Sequence, residues 1–459
     1  AGLVSAIHAT LTVRTATGAV AWAVSLVSFP FVAVPGYVVF GRNKFEGMAE
    51  AFKERHEEIE ELLHGFEKNL DSWEIAPGEA PSWYRAIHEL TGFDIVQGNE
   101  VELLINGDAT FASILDGIAQ AEKYILFQFY MIRDDDLGQR VKSALVERAR
   151  AGLDVYVLYD EIGSSGLPSK YVDEMHAAGI EVSAFRPTQG LRNRFQLNFR
   201  NHRKMVVVDG TVAWVGGHNV GDEYLGLDPD FSPWRDTHVR IEGPATLQVQ
   251  LTILADWYWA TREIPQANWV PKPAADHDQR VIIIPTAPTG HLETASLFFV
   301  SALSAARERI WLSAPYFVPD EAVVKALQLA ALRGVDVRII TTGKGDSLPV
   351  YLAAFHYIHE LRDLGIRFYA YEPGFLHEKV MLVDDQVSAV GTHNFDNRSF
   401  RLNFEVTAVI LDEAFAQQMQ AMFEDDFARS KRIDTDALNR KPIWWKIGAR
   451  LSRLAAPIL

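Results

Sequence analysis

The chain is built twice, and that duplication constrains its fold more than any other feature. One half contains Ala121-Glu122-Lys123-Tyr124-Ile125-Leu126-Phe127-Gln128-Phe129-Tyr130, and the other contains Ala306-Arg307-Glu308-Arg309-Ile310-Trp311-Leu312-Ser313. Each reads as a helix end running into an apolar strand. In each, a helical stretch then closes on glycine and aspartate before a β-rich run. These are Gly152-Leu153-Asp154-Val155-Tyr156-Val157-Leu158 and Gly334-Val335-Asp336-Val337-Arg338-Ile339-Ile340. A third match pairs Gly179-Ile180-Glu181-Val182 with Gly365-Ile366-Arg367-Phe368. Helix, C-terminal glycine and buried strand are the pattern of an α/β unit. The repeat is far longer than a solenoid unit, so each copy is a domain. A chain of 459 residues has room for two such domains plus extensions. Two α/β halves facing each other can share one site at their seam.

The ends differ from the middle. No charged residue occurs between Thr15 and Gly41, and Arg14 alone separates that stretch from another charge-free piece. This is long enough to cross a bilayer, and Pro30 and Pro35 predict a kinked span or a re-entrant segment over a straight helix. A buried core helix is the alternative. At the other end, Trp444, Trp445, Ile447, Leu451 and Leu454 alternate with Lys441, Lys446, Arg450 and Arg453. That pattern fits an interfacial helix on anionic lipid, or an ordinary docking helix. Glu46 to Trp73, rich in Glu and Lys, reads as a solvated helical connector. Cysteine is absent, which excludes thiolate nucleophiles and Cys-based metal sites. A formal net charge of −16 argues against nucleic acid as the main partner, because such proteins need positive charge to displace counterions.

Late in each half the same constellation recurs. His202-Arg203-Lys204 is followed by Asp209 and then Gly216-Gly217-His218-Asn219; His377-Glu378-Lys379 is followed by Asp384 and then Gly391-Thr392-His393-Asn394. Residues two apart on a strand share a face, so each His and Lys point the same way while the apolar runs from Met205 and Val380 continue into the core. Asp-Gly or Asp-Asp then turns the chain. A single copy would be an ordinary strand with a polar edge. Two copies with identical spacing in a duplicated chain are a strong signal of a site.

These motifs resemble the phospholipase D superfamily, whose mark is a doubled H-x-K-x(4)-D followed by G-x-x-N. Within it the chain is similar to the bacterial cardiolipin synthases, through Phe40-Gly41-Arg42, Ala314-Pro315-Tyr316-Phe317-Val318-Pro319, and Asp396-Asn397-Arg398-Ser399 ahead of Leu402-Asn403-Phe404-Glu405. The resemblance implies an α/β fold of two pseudo-symmetric phospholipase-D-like α/β/α sandwich domains sharing one active site, with an N-terminal membrane segment. The expected organisation is an apolar membrane segment (1–41), a helical connector (42–98), two phospholipase-D-like domains (99–275 and 276–434), and an amphipathic tail (435–459). It also implies phosphatidyl transfer between phospholipids, phosphatidylglycerol to cardiolipin, at the bacterial inner membrane.

The chemistry agrees with the residue types. A phosphodiester is anionic, so its site needs fixed positive charge, which Lys204 and Lys379 supply, while Asn219 and Asn394 add neutral donors. Histidine titrates near neutrality and can serve as nucleophile or as acid and base. The resemblance assigns His202 as nucleophile and His377 as acid/base. An attacking imidazole needs a carboxylate behind it to fix its tautomer. Asp236 and Glu405 stand at matching places, and family members use an acidic residue there. Asp209 and Asp384 read mainly as structural supports of the turn beneath the site. No metal or cofactor is implied. Gly217 departs from the family pattern, which has Ser or Thr there, as Thr392 does in the second half; a lost hydroxyl would remove a hydrogen bond worth about 1 kcal/mol. Hydrolysis to phosphatidic acid needs the same residues, and exclusion of water separates the two outcomes.

Overall fold

The computed structural model describes residues 1–459 except 42–44, 46, 49–50, 52–55, 189–197, 291, 346, 435–439, 455 and 457–459. The Arg42 to Lys44 cluster, part of the connector and the start of the tail therefore lie outside the described residues.

The longer strands of the first half are β1 (Val96–Ile105), β2 (Tyr124–Phe129), β3 (Asp154–Asp160), β4 (Glu181–Phe185), β5 (Met205–Val208), β6 (Val212–Gly216) and β7 (Thr237–Glu242). The second half repeats them as β8 (Gln279–Thr286), β9 (Arg309–Ser313), β10 (Asp336–Thr342), β11 (Arg367–Tyr371), β12 (Val380–Val383), β13 (Val387–Gly391) and β14 (Asn403–Leu411), and adds β15 (Ser430–Arg432). All join one sheet in the order β15-β11-β10-β9-β12-β13-β14-β8-β1-β7-β6-β5-β2-β3-β4. Outward from the central β8–β1 pair the two halves have the same order. That central pair is antiparallel, with Val96 opposite Val281 and Asn99 opposite Gln279. The first domain thus takes its central strand from Val96, upstream of the expected boundary at 99.

The glycines anticipated as helix stops do that work. Gly152, Gly179, Gly334 and Gly365 all adopt positive φ, which costs glycine little, and each precedes a parallel strand. Every residue of β2, β5 and β12 is buried, so these strands carry unbroken apolar runs, as sheets covered on both faces require. The regular strands begin at Met205 and Val380, one residue after each motif lysine. His-x-Lys is therefore an extended lead-in to the strand, where the sequence pattern predicted strand.

The two ends are helical. Residues 1–41 form three short helices, Gly2–Thr12, Ala16–Ser28 and Pro30–Phe40. No helix among the described residues is by itself long and apolar enough to cross a membrane. The cause is local: Thr15 caps the second helix by accepting from Gly18 N, and Phe29, ahead of Pro30, leaves helical geometry at φ −135°. The helices pack on one another, with Tyr37 against Trp22 and its hydroxyl 2.8 Å from His8 Nδ1. They leave Leu3, Val4, Ile7, Leu11, Val24, Phe31 and Val32 exposed. Nor is the connector merely solvated. Phe66 and Leu70, from helix His56–Leu70, are buried in the main core together with Trp83, Ile87 and Phe93. At the other end, helix Ile443–Leu454 docks on helix Leu348–Leu361 through Trp445, whose ring meets Phe355 at 4.9 Å. Its Ile443, Trp444, Ile447, Leu451 and Leu454 face outward.

Candidate active site

Because β5 runs antiparallel to β2, with Gln128 opposite Met205, the residues ahead of Met205 lie beside the end of β2. In the second half Ser313 opposite Val380 does the same for His377. Both histidines are thereby delivered to one edge of the sheet, at the seam between the halves.

Each histidine is held by the opposite half. The segment ahead of His202 pairs in parallel with the start of β14, Arg200 opposite Asn403 and Asn201 opposite Phe404, and His202 N donates to Phe404 O at 2.9 Å. In the mirror arrangement Phe375 and Leu376 pair with Trp234 and Arg235, and His377 N donates to Arg235 O at 2.8 Å. The backbone crossings set the carboxylates. His202 Nδ1 lies 2.9 Å from Glu405 Oε2, and His377 Nδ1 lies 2.7 Å from Asp236 Oδ2. A carboxylate only accepts, so each Nδ1 carries its proton and each Nε2 keeps its lone pair for chemistry. The sequence proposes the two carboxylates; their exchange between halves appears only in three dimensions.

Burial governs the electrostatics of the site. Burial pushes both histidines down, His377 to about 3, with Lys379 adding to the effect and the carboxylates opposing it. Burial also drives Lys204 well below its ordinary value and Lys379 to about 8. Burial raises Asp236 and Glu405, but the surrounding imidazoles and lysines outweigh it and hold both carboxyls below the usual range. Lys204 Nζ donates to His202 O at 2.6 Å, and Lys379 Nζ donates likewise to His377 O. Two lysines, two imidazoles and two ionised carboxylates are thus enclosed together at the seam. Among the described residues no His, Cys, Asp and Glu are grouped as a metal site.

Asp209 and Asp384 are not brought to this centre. Each sits at the far end of its strand in left-handed conformation, φ 55° and 53°. Asp209 accepts from the backbone N–H groups of Glu122, Lys123 and Tyr124, and Asp384 from those of Arg307, Glu308 and Arg309. They fasten the helix-to-strand turn. Asn219 is committed as well: its Oδ1 accepts from Met131 N at 3.2 Å and its Nδ2 donates to the Tyr224 hydroxyl at 2.6 Å. Asn394 Oδ1 is buried without a partner among the described residues.

Gly217 has a steric explanation. A Cβ there would fall on the Asp236 carboxylate, 2.7 Å from its Cγ and nearer still to Oδ1. In the second half Thr392 Oγ1 instead accepts from Val406 N at 2.9 Å, beside the longer Glu405. Short carboxylate with glycine and long carboxylate with threonine are two solutions of one packing problem.

Other residues were not singled out from sequence. The residue between His and Lys points away from the site and locks the halves together. Arg203 pairs with Asp256 at 2.7 Å and donates to Glu405 O and Thr286 O, while Glu378 pairs with Arg235 at 2.9 Å, which also binds Asp426. Charged residues flanked by apolar strand were the available signal. Tyr130 meets His202 at 4.9 Å with Lys204 over its face, and Trp234 meets His377 at 5.1 Å; no spacing marks either.

Comparison with known proteins agrees with this geometry. The family described as "Cardiolipin synthase, PLD-like domain" matches residues 114–244 and 299–427, one copy in each half. The chain is 45% identical to cardiolipin synthase A of Pseudomonas fluorescens, over 100% of this chain and 96% of that one. It is equally 45% identical to cardiolipin synthase A of Pseudomonas aeruginosa, over 100% and 94%. Among solved structures, phosphatidylserine synthase of Haemophilus influenzae superposes with TM-score 0.62 at 14% identity, covering 82% of this chain and all of that one. Polyphosphate kinase of Porphyromonas gingivalis superposes with TM-score 0.52 at 12% identity, over 83% and 55%. At those identities the two structures speak for the fold alone. Two copies of the family's domain and full-length relatives at 45% identity place this chain in the cardiolipin synthase family of phospholipase-D-like proteins.

Proposed function

We propose that the protein is a phosphatidyltransferase that joins two phosphatidylglycerols into cardiolipin and releases glycerol. The observation that carries this reading is the pair of histidines at one seam, each with a lysine beside it and a carboxylate from the other half behind it. The donor phosphodiester sits between Lys204 and Lys379. His202 Nε2 attacks phosphorus, the bond to the glycerol headgroup breaks, and His377 gives the departing oxygen a proton. The resulting phosphatidyl-histidine is then attacked by the hydroxyl of a second phosphatidylglycerol, whose proton passes to His377 as the P–N bond breaks. Arrival of the anionic phosphate favours the protonated imidazole that burial disfavours in the free protein. Asp236 and Glu405 hold each ring in the tautomer that presents Nε2.

The protein works at the bacterial cytoplasmic membrane, lying on it through its two ends. The exposed apolar residues of the N-terminal helices and the Ile443, Trp444, Ile447, Leu451 stripe, flanked by Lys446 and Arg450, support this. A substrate with two acyl chains stays in the bilayer, so an enzyme held there meets it by lateral diffusion.

The test is incubation with phosphatidylglycerol vesicles and mass spectrometry of the lipid and water-soluble products. Cardiolipin with equimolar glycerol, lost in His202→Ala and in His377→Ala, supports the reading. Phosphatidic acid without cardiolipin makes the protein a hydrolase and overturns it.

A further inference from the structure

The duplication is broken around its two histidines. His202 has the edge of Tyr130 at 4.9 Å, with Arg200 two residues before it in the chain. At the equivalent place, two before His377, stands Phe375, stacked on the imidazole at 6.0 Å. Trp234 at 5.1 Å and Tyr224 at 6.2 Å complete a collar round His377, and Phe231 backs it at 5.2 Å from Phe375 and 6.3 Å from Trp234. Both halves build this collar, and it is fixed by backbone. Phe375 N donates to Phe231 O and to Pro233 O, both at 3.1 Å, while the Trp234 and Phe375 backbones pair in parallel. Gly374 is packed so tightly that a Cβ would lie 2.6 Å from Pro233 N.

We infer that this aromatic collar is what commits the site to transfer over hydrolysis. The inference rests on the proposed function, with His377 as the group that takes the proton of the incoming alcohol. In the second step two oxygens compete for the phosphatidyl-histidine. A lipid hydroxyl gives cardiolipin; water gives phosphatidic acid; in both the P–N bond breaks and the proton goes to His377. Water is in large excess, so transfer requires that the space in line with the P–N bond be dry. Aromatic rings offer water no strong hydrogen-bond partner, yet pack well against the carbon skeleton of a glycerol. The collar stands at the histidine that handles the alcohol.

Phosphatidylglycerol vesicles with wild type, Phe231→Ala, Trp234→Ala and Trp234→Phe test it, read as the ratio of phosphatidic acid to cardiolipin. The ratio is expected to rise at least ten-fold in the two alanine variants and to stay near wild type in Trp234→Phe. Loss of folded protein lowers both products together and moves no ratio, so the readout separates a selective role from a structural one. An unchanged ratio in both alanine variants overturns the inference, as does loss of both products in both. A wild type that makes no cardiolipin refutes the proposed function itself, before any variant is read.

Discussion

Gly217 shows how much of the site hangs on a single atom. Asp236 occupies the space a Cβ would need, and its carboxylate contacts His377 Nδ1. Gly217→Ser, although it copies the commoner residue of the superfamily, should displace that carboxylate. A displacement of about 1 Å at a reacting group costs on the order of 100-fold in kcat. Gly217→Thr combined with Asp236→Glu reproduces the pairing of the second half and should recover part of the loss. Steady-state kinetics of the two single variants and the double variant check this, and additive losses would refute it. Lys379 sets a pH limit. In the proposed mechanism its charged form holds the phosphate, and burial brings its pKa down to about 8, so kcat/KM should fall as pH rises through about 8. A profile flat to pH 10 would contradict that assignment.

At the scale of elements, the lead-in segments matter more than the strands they precede. Arg203 and Arg235 cross the seam as buried cations matched to Asp256, Glu378 and Asp426. Removing one partner of such a cluster leaves an uncompensated charge, which costs about 3–5 kcal/mol. Arg235→Met should therefore lower the unfolding midpoint sharply and reduce activity through loss of folded protein; urea titration followed by circular dichroism measures it. The turn aspartates belong here too. Asp209→Ala strands three backbone N–H groups and should cost about 1–3 kcal/mol in the same titration. Because the turn lies at the opposite end of β5 from His202, turnover per folded molecule should hold.

The whole molecule joins a buried catalytic seam to two exposed apolar ends. If those ends lie on the bilayer, Trp444→Ser with Ile447→Ser should weaken co-sedimentation with vesicles containing anionic lipid, while turnover of detergent-dispersed phosphatidylglycerol should change little. High salt should weaken the same binding, because Lys446, Arg450 and Arg453 contribute through a screened attraction. Equal sedimentation of variant and wild type would remove the helix from the interface.

The sequence by itself determined the duplication, the α/β units and the eight polar residues of the doubled motif, because periodicity, glycine stops and repeated spacing are local properties of a chain. His202, Lys204, His377 and Lys379 were legible for that reason, as were Asp236 and Glu405 as carboxylate partners. Local pattern left the division of residues 1–41 open, because absence of charge does not mark the helix breaks at Thr15 and Phe29. Only tertiary structure decided that each carboxylate serves the other half's histidine, that Gly217 makes room for Asp236, and that Trp234, Phe375 and Tyr224 gather round His377 where Tyr130 stands at His202. Those facts depend on backbone pairing between segments far apart in the chain, such as Phe404 with Asn201 and Phe375 with Trp234, and no spacing within either segment encodes its partner.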